Sequence, residues 1–131
     1  MKHLLTKAIA GSGLLLMALT ASAQYPPYQD RDRREAAEQD RLFDRLRSDL
    51  ERARASTIPF TADRDRVIRA LERVNTCDHM VASGDYDRDT FNAALSAVQQ
   101  VIDMNRLSED GRGFLMDDMR ELHRLQARLE Y

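Results

Sequence analysis

Two groups of side chains in this sequence carry soft donor atoms of the kind that bind Cu(I). Cys77 and Met80 are three residues apart, with His79 beside Met80. The second group has the i, i+3, i+7 spacing of one helix face and comprises Met116, Met119 and His123. Thiolate, thioether and imidazole ligands suit Cu(I), so a copper site is one interpretation if the two helices are neighbours. We favour the other, in which methionines fill gaps in a helical core, and we predict no metal-binding residues and no cofactor.

The run DYDRD at residues 85–89 begins like the D-x-D-x-D of a calcium-binding loop. Such a loop requires Gly at its sixth position and a bidentate Glu at its twelfth, where this sequence has Thr90 and Ser96. Gly84, just before the run, suits the left-handed position that follows a helix. We therefore predict that one helix ends at Gly84 and that Asp85 or Asp87 caps the next.

Cys77 is the single cysteine of the chain. It shares an apolar stripe with Val74 and Val81, which predicts a buried thiol that packs as a small apolar group. The alternative is a disulfide between two chains, which a single cysteine in an exported protein leaves open.

A column of like charges is predicted on the last helix, at i, i+4 and i+8: Arg120, Arg124 and Arg128. Such neighbours repel one another by a few tenths of a kcal/mol per pair. We favour a solvated face on which Glu121 and Glu130 relieve the repulsion. The alternative is that an acidic neighbouring helix or an anionic partner faces the column.

No pattern in the sequence pairs a nucleophile with a base. A Ser-His-Asp order, a Gly-rich phosphate loop and an H-E-x-x-H motif are all missing from the sequence. The acidic residues are spread over the polar faces of the predicted helices. We therefore predict that the protein is not an enzyme and has no catalytic residues.

Four amphipathic helices must position these side chains, because apolar residues recur at i, i+3 and i+4 in four stretches. The four stripes are Leu42, Phe43, Leu46, Leu50 and Ala53; Val67, Ile68, Leu71, Val74, Cys77 and Val81; Phe91, Leu95, Val98, Val101 and Ile102; and Phe114, Leu115, Met119, Leu122, Leu125 and Leu129. Thr61 and Ser108 are the predicted N-caps of the second and fourth helices. The connections are short, which is typical of antiparallel neighbours.

The fold class that follows is all-α, an antiparallel four-helix bundle over residues 31–131 with an extended N-terminal arm at residues 24–30. The first helix is predicted from Asp30 to about Arg54. The arm is predicted to be extended because Pro26 and Pro27 fix φ and disfavour helical geometry in the residue before each of them.

Residues 1–23 have the features of a secretory signal peptide. Lys2 and Lys7 form a positive start, residues 8–19 are an apolar run of 12, and Ala21-Ser22-Ala23 is an A-x-A cleavage site. A run of 12 is shorter than the roughly 20 residues of a membrane-spanning helix, which argues against the alternative of an uncleaved anchor. We predict export to the periplasm or the extracellular space, with a mature chain that starts at Gln24 and has no membrane span.

Removal of residues 1–23 takes away both lysines and leaves 18 arginines against 22 acidic residues, a formal net charge of −4. A net negative protein is a poor ligand for nucleic acid, so we predict no nucleic-acid partner. The protein partner that a binding role implies is not identified by the sequence, and a homodimer stays open.

Three segments resemble a group of small exported bacterial helical proteins that have no assigned activity: DRLFDRLRSDLERA at 40–53, SGDYDRDTFNAAL at 83–95 and DMNRLSEDGRGFLMDDMREL at 103–122. A weaker likeness is to the LTxxQ-type periplasmic chaperones, at residues 107–111 and 60–64, with Gly111 and Arg64 in place of the Gln. The expected function is non-enzymatic binding or a structural role in the cell envelope. The alternatives are a periplasmic chaperone or stress-sensor accessory protein, and a copper-binding module.

Overall fold

The computed structural model describes residues 27–131, which form four α-helices and, within that range, no strand. The helices are α1 (Pro27–Ala55), α2 (Ala62–Ser83), α3 (Arg88–Met104) and α4 (Glu109–Glu130). The prediction of an all-α helical bundle is confirmed. The predicted signal peptide at residues 1–23 lies outside the described residues.

The helix ends follow from local chemistry, as the sequence predicted. Thr61 and Ser108 accept hydrogen bonds from the backbone N–H of the third helical residue, Arg64 at 3.4 Å and Gly111 at 3.0 Å. Each cap satisfies one of the backbone donors that a helix start leaves without a partner. After α2 the chain turns at Gly84, whose φ of +79° lies in the left-handed region open to glycine.

The predicted extended arm is wrong for residues 27–30, because α1 already begins at Pro27. A proline in the first helical turn loses nothing, since its missing N–H would have no intrahelical partner there, and its fixed φ fits a helix. The rest of the arm, residues 24–26, lies outside the described residues.

The chain divides into two units, Met1–Glu35 and Ala36–Tyr131. In the described part of the first unit, the side chains from Gln29 to Glu35 are exposed, and Arg31 lies 3.9 Å from Glu35 in an i, i+4 ion pair. The second unit contains the core and every feature discussed below.

The core of the second unit consists of the predicted apolar stripes, with three differences. Phe114 is 49% exposed, and Ile68 and Leu129 are only partly buried. Phe114 lies next to Leu115 in the sequence, 100° away from it around the helix. Leu115 takes the buried position.

Polar contacts between helix ends indicate how the helices pack. The Nδ2 of Asn105, just after α3, donates to the backbone oxygen of Asp63 at the start of α2 (2.8 Å). The Nε2 of Gln126, near the end of α4, donates to Oδ1 of Asn92, near the start of α3 (2.8 Å). From these contacts we interpret α2 and α3 as an antiparallel pair, and α3 and α4 as another. The two helices of each pair pack directly against each other.

Candidate functional site

The α1–α2 and α3–α4 connections lie side by side at one end of the bundle, which we call the loop end. Asp63 joins them: its Oδ2 accepts from the backbone N–H of Arg106 (3.1 Å), and its Oδ1 accepts from Arg66 (2.6 Å). Arg66 also donates through Nε to Oδ1 of the buried Asn105 (2.7 Å). This network holds the two connections together, and Leu107 of the α3–α4 connection also packs against the core.

Large apolar side chains are nevertheless exposed at the loop end. Ile58 is 73% exposed, Met104 is 60% exposed, and Phe60 is fully exposed; we call these three residues the loop-end patch. Phe60 also has a φ of +64°. Positive φ brings the Cβ of a bulky L-residue close to its own backbone, so the conformation is strained. The side chain that causes this strain has almost no contact with the rest of the fold.

A cavity of about 200 Å³ opens beside the loop end, between the end of α1 and the start of α4. Its apolar lining is formed by Ala53, Leu107 and Phe114. The other lining residues are Gly111 and the polar or charged Asp49, Arg52, Ser56, Ser108 and Asp110. The exposed Phe114 ring, which the sequence predicted to be in the core, forms part of its wall.

Further along α1 and α4, a charged cluster joins the two helices. Arg45 on α1 donates through Nε to Oδ1 of Asp118 (2.9 Å) and through Nη2 to Oε2 of Glu121 (2.6 Å). The Asp118 side chain is only 1% exposed, and no partner is assigned to its other oxygen, Oδ2. Asp49 of α1, also buried, approaches the same carboxyl group.

Burial first, and the neighbouring Asp49 carboxyl group second, raise the pKa of Asp118 to about 7, although the Arg45 guanidinium acts to lower it. A second carboxyl group nearby disfavours the ionised form of Asp118, because like charges repel more strongly in a medium of low dielectric constant. A cavity of about 290 Å³ adjoins the pair. The Asp118 side chain, although only 1% exposed, is part of the lining of this cavity, and its hydrogen bond from Arg45 links α4 to α1.

Asp49, Asn105 and Asp118 were not predicted from the sequence as residues of interest. The spacing in the sequence does indicate that Asp118 faces the core, because Asp118 is three residues after Leu115 and four before Leu122. It therefore occupies an apolar-stripe position of α4, as Asp49 does between Leu46 and Ala53 in α1.

The residues of the predicted copper alternative are not brought together. Cys77 is fully buried in the core, as predicted, and burial raises the pKa of its thiol to about 12. His79 and His123 are both exposed. Within the described chain, no Cα of α2 lies within 8 Å of a Cα of α4. Residues 27–131 also contain no group of three His, Cys, Asp or Glu side chains placed to hold a metal ion.

The DYDRD run behaves as a helix start. Asp87 is the N-cap of α3 and accepts hydrogen bonds from the backbone N–H of Thr90 (3.1 Å) and from its hydroxyl (2.5 Å). These hydrogen bonds, the hydroxyl one first, hold the pKa of Asp87 below its ordinary value. Thr90 is helical, so the chain does not form the open loop that calcium requires.

The favoured interpretation of the arginine column is wrong in its detail. Glu121 pairs with Arg45 of α1, and Glu130 pairs with Arg88 of α3 at 2.9 Å. Arg120 is relieved instead by Asp117, one turn earlier, at 3.0 Å. Among the described residues, Arg124 and Arg128 have no carboxylate oxygen within 4.0 Å. Glu121 and Glu130 are adjacent to the column in the sequence but form ion pairs with arginines of other helices. Spacing in the sequence alone does not reveal those pairs.

Comparisons of this chain with protein-family models, with curated proteins and with solved structures find no match. None of the helices between residues 27 and 131 combines the length and the apolar character needed to cross a membrane.

Proposed function

We propose that the protein is an exported, non-enzymatic binding protein of the cell envelope that docks an apolar surface of a protein partner through its loop end. The export part rests on the signal-peptide features of residues 1–23. The binding part rests on one observation, the strained and fully exposed Phe60.

The strained conformation of Phe60 destabilises the isolated fold, and its exposed side chain adds almost no stabilising contact. A bulky residue in the left-handed region costs on the order of 1–3 kcal/mol, and an exposed ring gains no burial in exchange. Glycine or asparagine would suit the same backbone better. An aromatic ring on a fixed loop is typical of the anchors that dominate protein–protein interfaces, where the ring is buried on association.

The neighbouring features support the same surface. Ile58 and Met104 are exposed at the same end of the bundle as Phe60, and the small cavity beside the loop end can accept a side chain of the partner. The Asp63 network holds the two connections still, which lowers the entropy lost when a partner binds.

The proposal is tested by crosslinking in the organism that produces the protein. A photoreactive amino acid replaces Phe60 in one variant and the exposed Arg73, on α2, in a matched control. We expect a defined adduct from position 60 but not from position 73. Mass spectrometry identifies the partner, whose purified form should bind wild-type protein at least about tenfold more tightly than an Ile58→Ser variant. Equal adducts at both positions, or equal affinities, would contradict the proposal.

A periplasmic chaperone role is the second candidate. The observation that favours it is that Phe114 and Met116 on α4 are also 49% and 45% exposed, which extends the apolar surface beyond the loop end. A chaperone binds many unfolded clients, whereas an interaction protein binds one folded surface. Light scattering of reduced α-lactalbumin separates the two. Suppression of its aggregation near equimolar ratio would favour the chaperone, and we expect no suppression.

A further inference from the structure

A second groove lies between α1 and α4, on the far side of the Arg45 cluster from the loop end. Its volume is about 260 Å³. Four of the residues that line it are arginines, two from each helix: Arg41, Arg45, Arg124 and Arg128. We call it the arginine groove. Its apolar lining is the buried Leu42, and its acidic residues are Glu38 and Glu121.

The charges in the arginine groove are not balanced by the fold. Arg45 is fully engaged by Asp118 and Glu121. Arg41, Arg124 and Arg128 are exposed, and the described residues offer none of them a carboxylate oxygen within 4.0 Å. Arg124 and Arg128 are also one turn apart on α4, so they repel each other. The groove is therefore positive, although the chain as a whole has a formal net charge of −2.

We propose that the arginine groove binds an acidic segment of a protein partner, with its carboxylates paired to Arg41, Arg124 and Arg128. Guanidinium groups form two parallel hydrogen bonds to a carboxylate, and arginines from two helices can hold carboxylates from both sides. This binding site is separate from the loop end, and the inference does not depend on the proposed function.

A protein segment fits this groove better than a phosphate polymer or an anionic membrane. Glu38 and Glu121 lie within the groove and would repel a continuous row of phosphates, whereas a segment with separated carboxylates can avoid them. The side-chain amide of Gln39, also in the lining, can hydrogen-bond a peptide backbone. Leu42 offers a small apolar contact to the rest of the segment.

The probe is a fluorescent ten-residue peptide in which glutamates alternate with serines, called the glutamate peptide. The comparison is a glutamine peptide of equal length, in which glutamine replaces each glutamate. Binding to the purified mature protein is followed by fluorescence anisotropy in low salt. The test variant is Arg124→Gln/Arg128→Gln. Its matched control is Arg69→Gln/Arg73→Gln, which removes the same charge at the same i, i+4 spacing from exposed positions on α2. Thermal melts of both variants verify that each is folded.

We expect the glutamate peptide to bind and the glutamine peptide not to bind. The α4 double variant should lose about fivefold to tenfold in affinity, the α2 control less than about twofold, and binding should weaken as salt is added. Failure of the glutamate peptide to bind, or equal losses in the two variants, would overturn the inference. So would a preference of the groove arginines for phosphatidylglycerol vesicles or inorganic phosphate over the glutamate peptide.

Discussion

At the scale of single residues, Asp118 differs most from its surroundings, because it is a carboxyl group in an apolar-stripe position of α4. Its spacing from Leu115 and Leu122 shows in the sequence that it faces the core. Its partners, Asp49 and Arg45, lie about seventy residues earlier and are brought close only by the packing of α1 against α4. The buried position of Asp118 could therefore be predicted from the sequence, but its raised pKa could not.

Asp118 should make the fold less stable as pH rises. In the unfolded chain the carboxyl group releases its proton near the ordinary pKa of 3.8, whereas in the fold it keeps the proton to about pH 7. Between these values the folded state binds more protons, so the free energy of unfolding falls with rising pH. We expect Asp118→Asn to remove this slope and to exceed the wild type in stability by about 1–3 kcal/mol at pH 8.

Urea melts between pH 4 and pH 8 measure this effect. Asp117→Asn is the control, because Asp117 is the exposed neighbour that pairs with Arg120. It should leave the pH dependence of the wild type unchanged. An Asp118→Asn protein that retains the wild-type slope would show that the proton is not held at this residue.

Copper should not stabilise the protein. Core packing explains Cys77 and Met119, which are buried, whereas His79, Met116 and His123 are exposed, and α2 and α4 have no Cα atoms within 8 Å of each other. A ligand at 100 times its Kd would add about 2.7 kcal/mol of stability by mass action. We expect anaerobic thermal melts of the reduced protein to give the same midpoint with and without Cu(I). A rise that disappears in Met119→Leu/His123→Gln would instead favour the copper-binding alternative.

At the scale of the helices, most boundaries could be predicted because they depend on neighbours in sequence. Thr61, Gly84 and Ser108 cap helices through contacts with residues close by in the sequence. Their residue types are the ones that such capping positions favour. The start of α1 was mispredicted because two prolines also suit a helix start. The partners of Glu121 and Glu130 were mispredicted because arginines of other helices compete for them.

The cap of α4 gives a prediction at this scale. Ser108→Ala removes the acceptor of the Gly111 N–H and should destabilise the protein by about 1 kcal/mol. Ser48→Ala is the matched control, because Ser48 is exposed within α1 and should change stability by less than about 0.5 kcal/mol. The two values come from urea melts. Equal values would mean that the hydrogen bond of the cap contributes nothing.

At the scale of the whole molecule, the export prediction concerns residues whose structure is not described. The positive start, the apolar run of 12 and Ala21-Ser22-Ala23 predict cleavage after Ala23. Intact-mass measurement of the protein recovered from the cell envelope should give a chain that begins at Gln24, with or without cyclisation of that residue. A mass that includes residues 1–23 would contradict the prediction.

The surface of the molecule was the part that the sequence predicted least. Apolar periodicity identifies which residues are buried, but it cannot show that Ile58, Phe60 and Met104 lie at the same end of the bundle. Nor does it show that Phe60 has a positive φ, because nothing in the residue types of Ile58-Pro59-Phe60 requires one. Both facts depend on how the two connections pack against each other.

The central claim is that Phe60 serves binding and not folding, and the most direct test is the affinity of the crosslinked partner for Phe60→Gly. Glycine relieves the positive φ, so the free energy of unfolding should stay unchanged or rise by up to about 1 kcal/mol. On this folded background we predict that partner affinity falls by at least about tenfold. Undiminished affinity, or a loss of affinity accompanied by destabilisation of more than about 1 kcal/mol, would contradict the account.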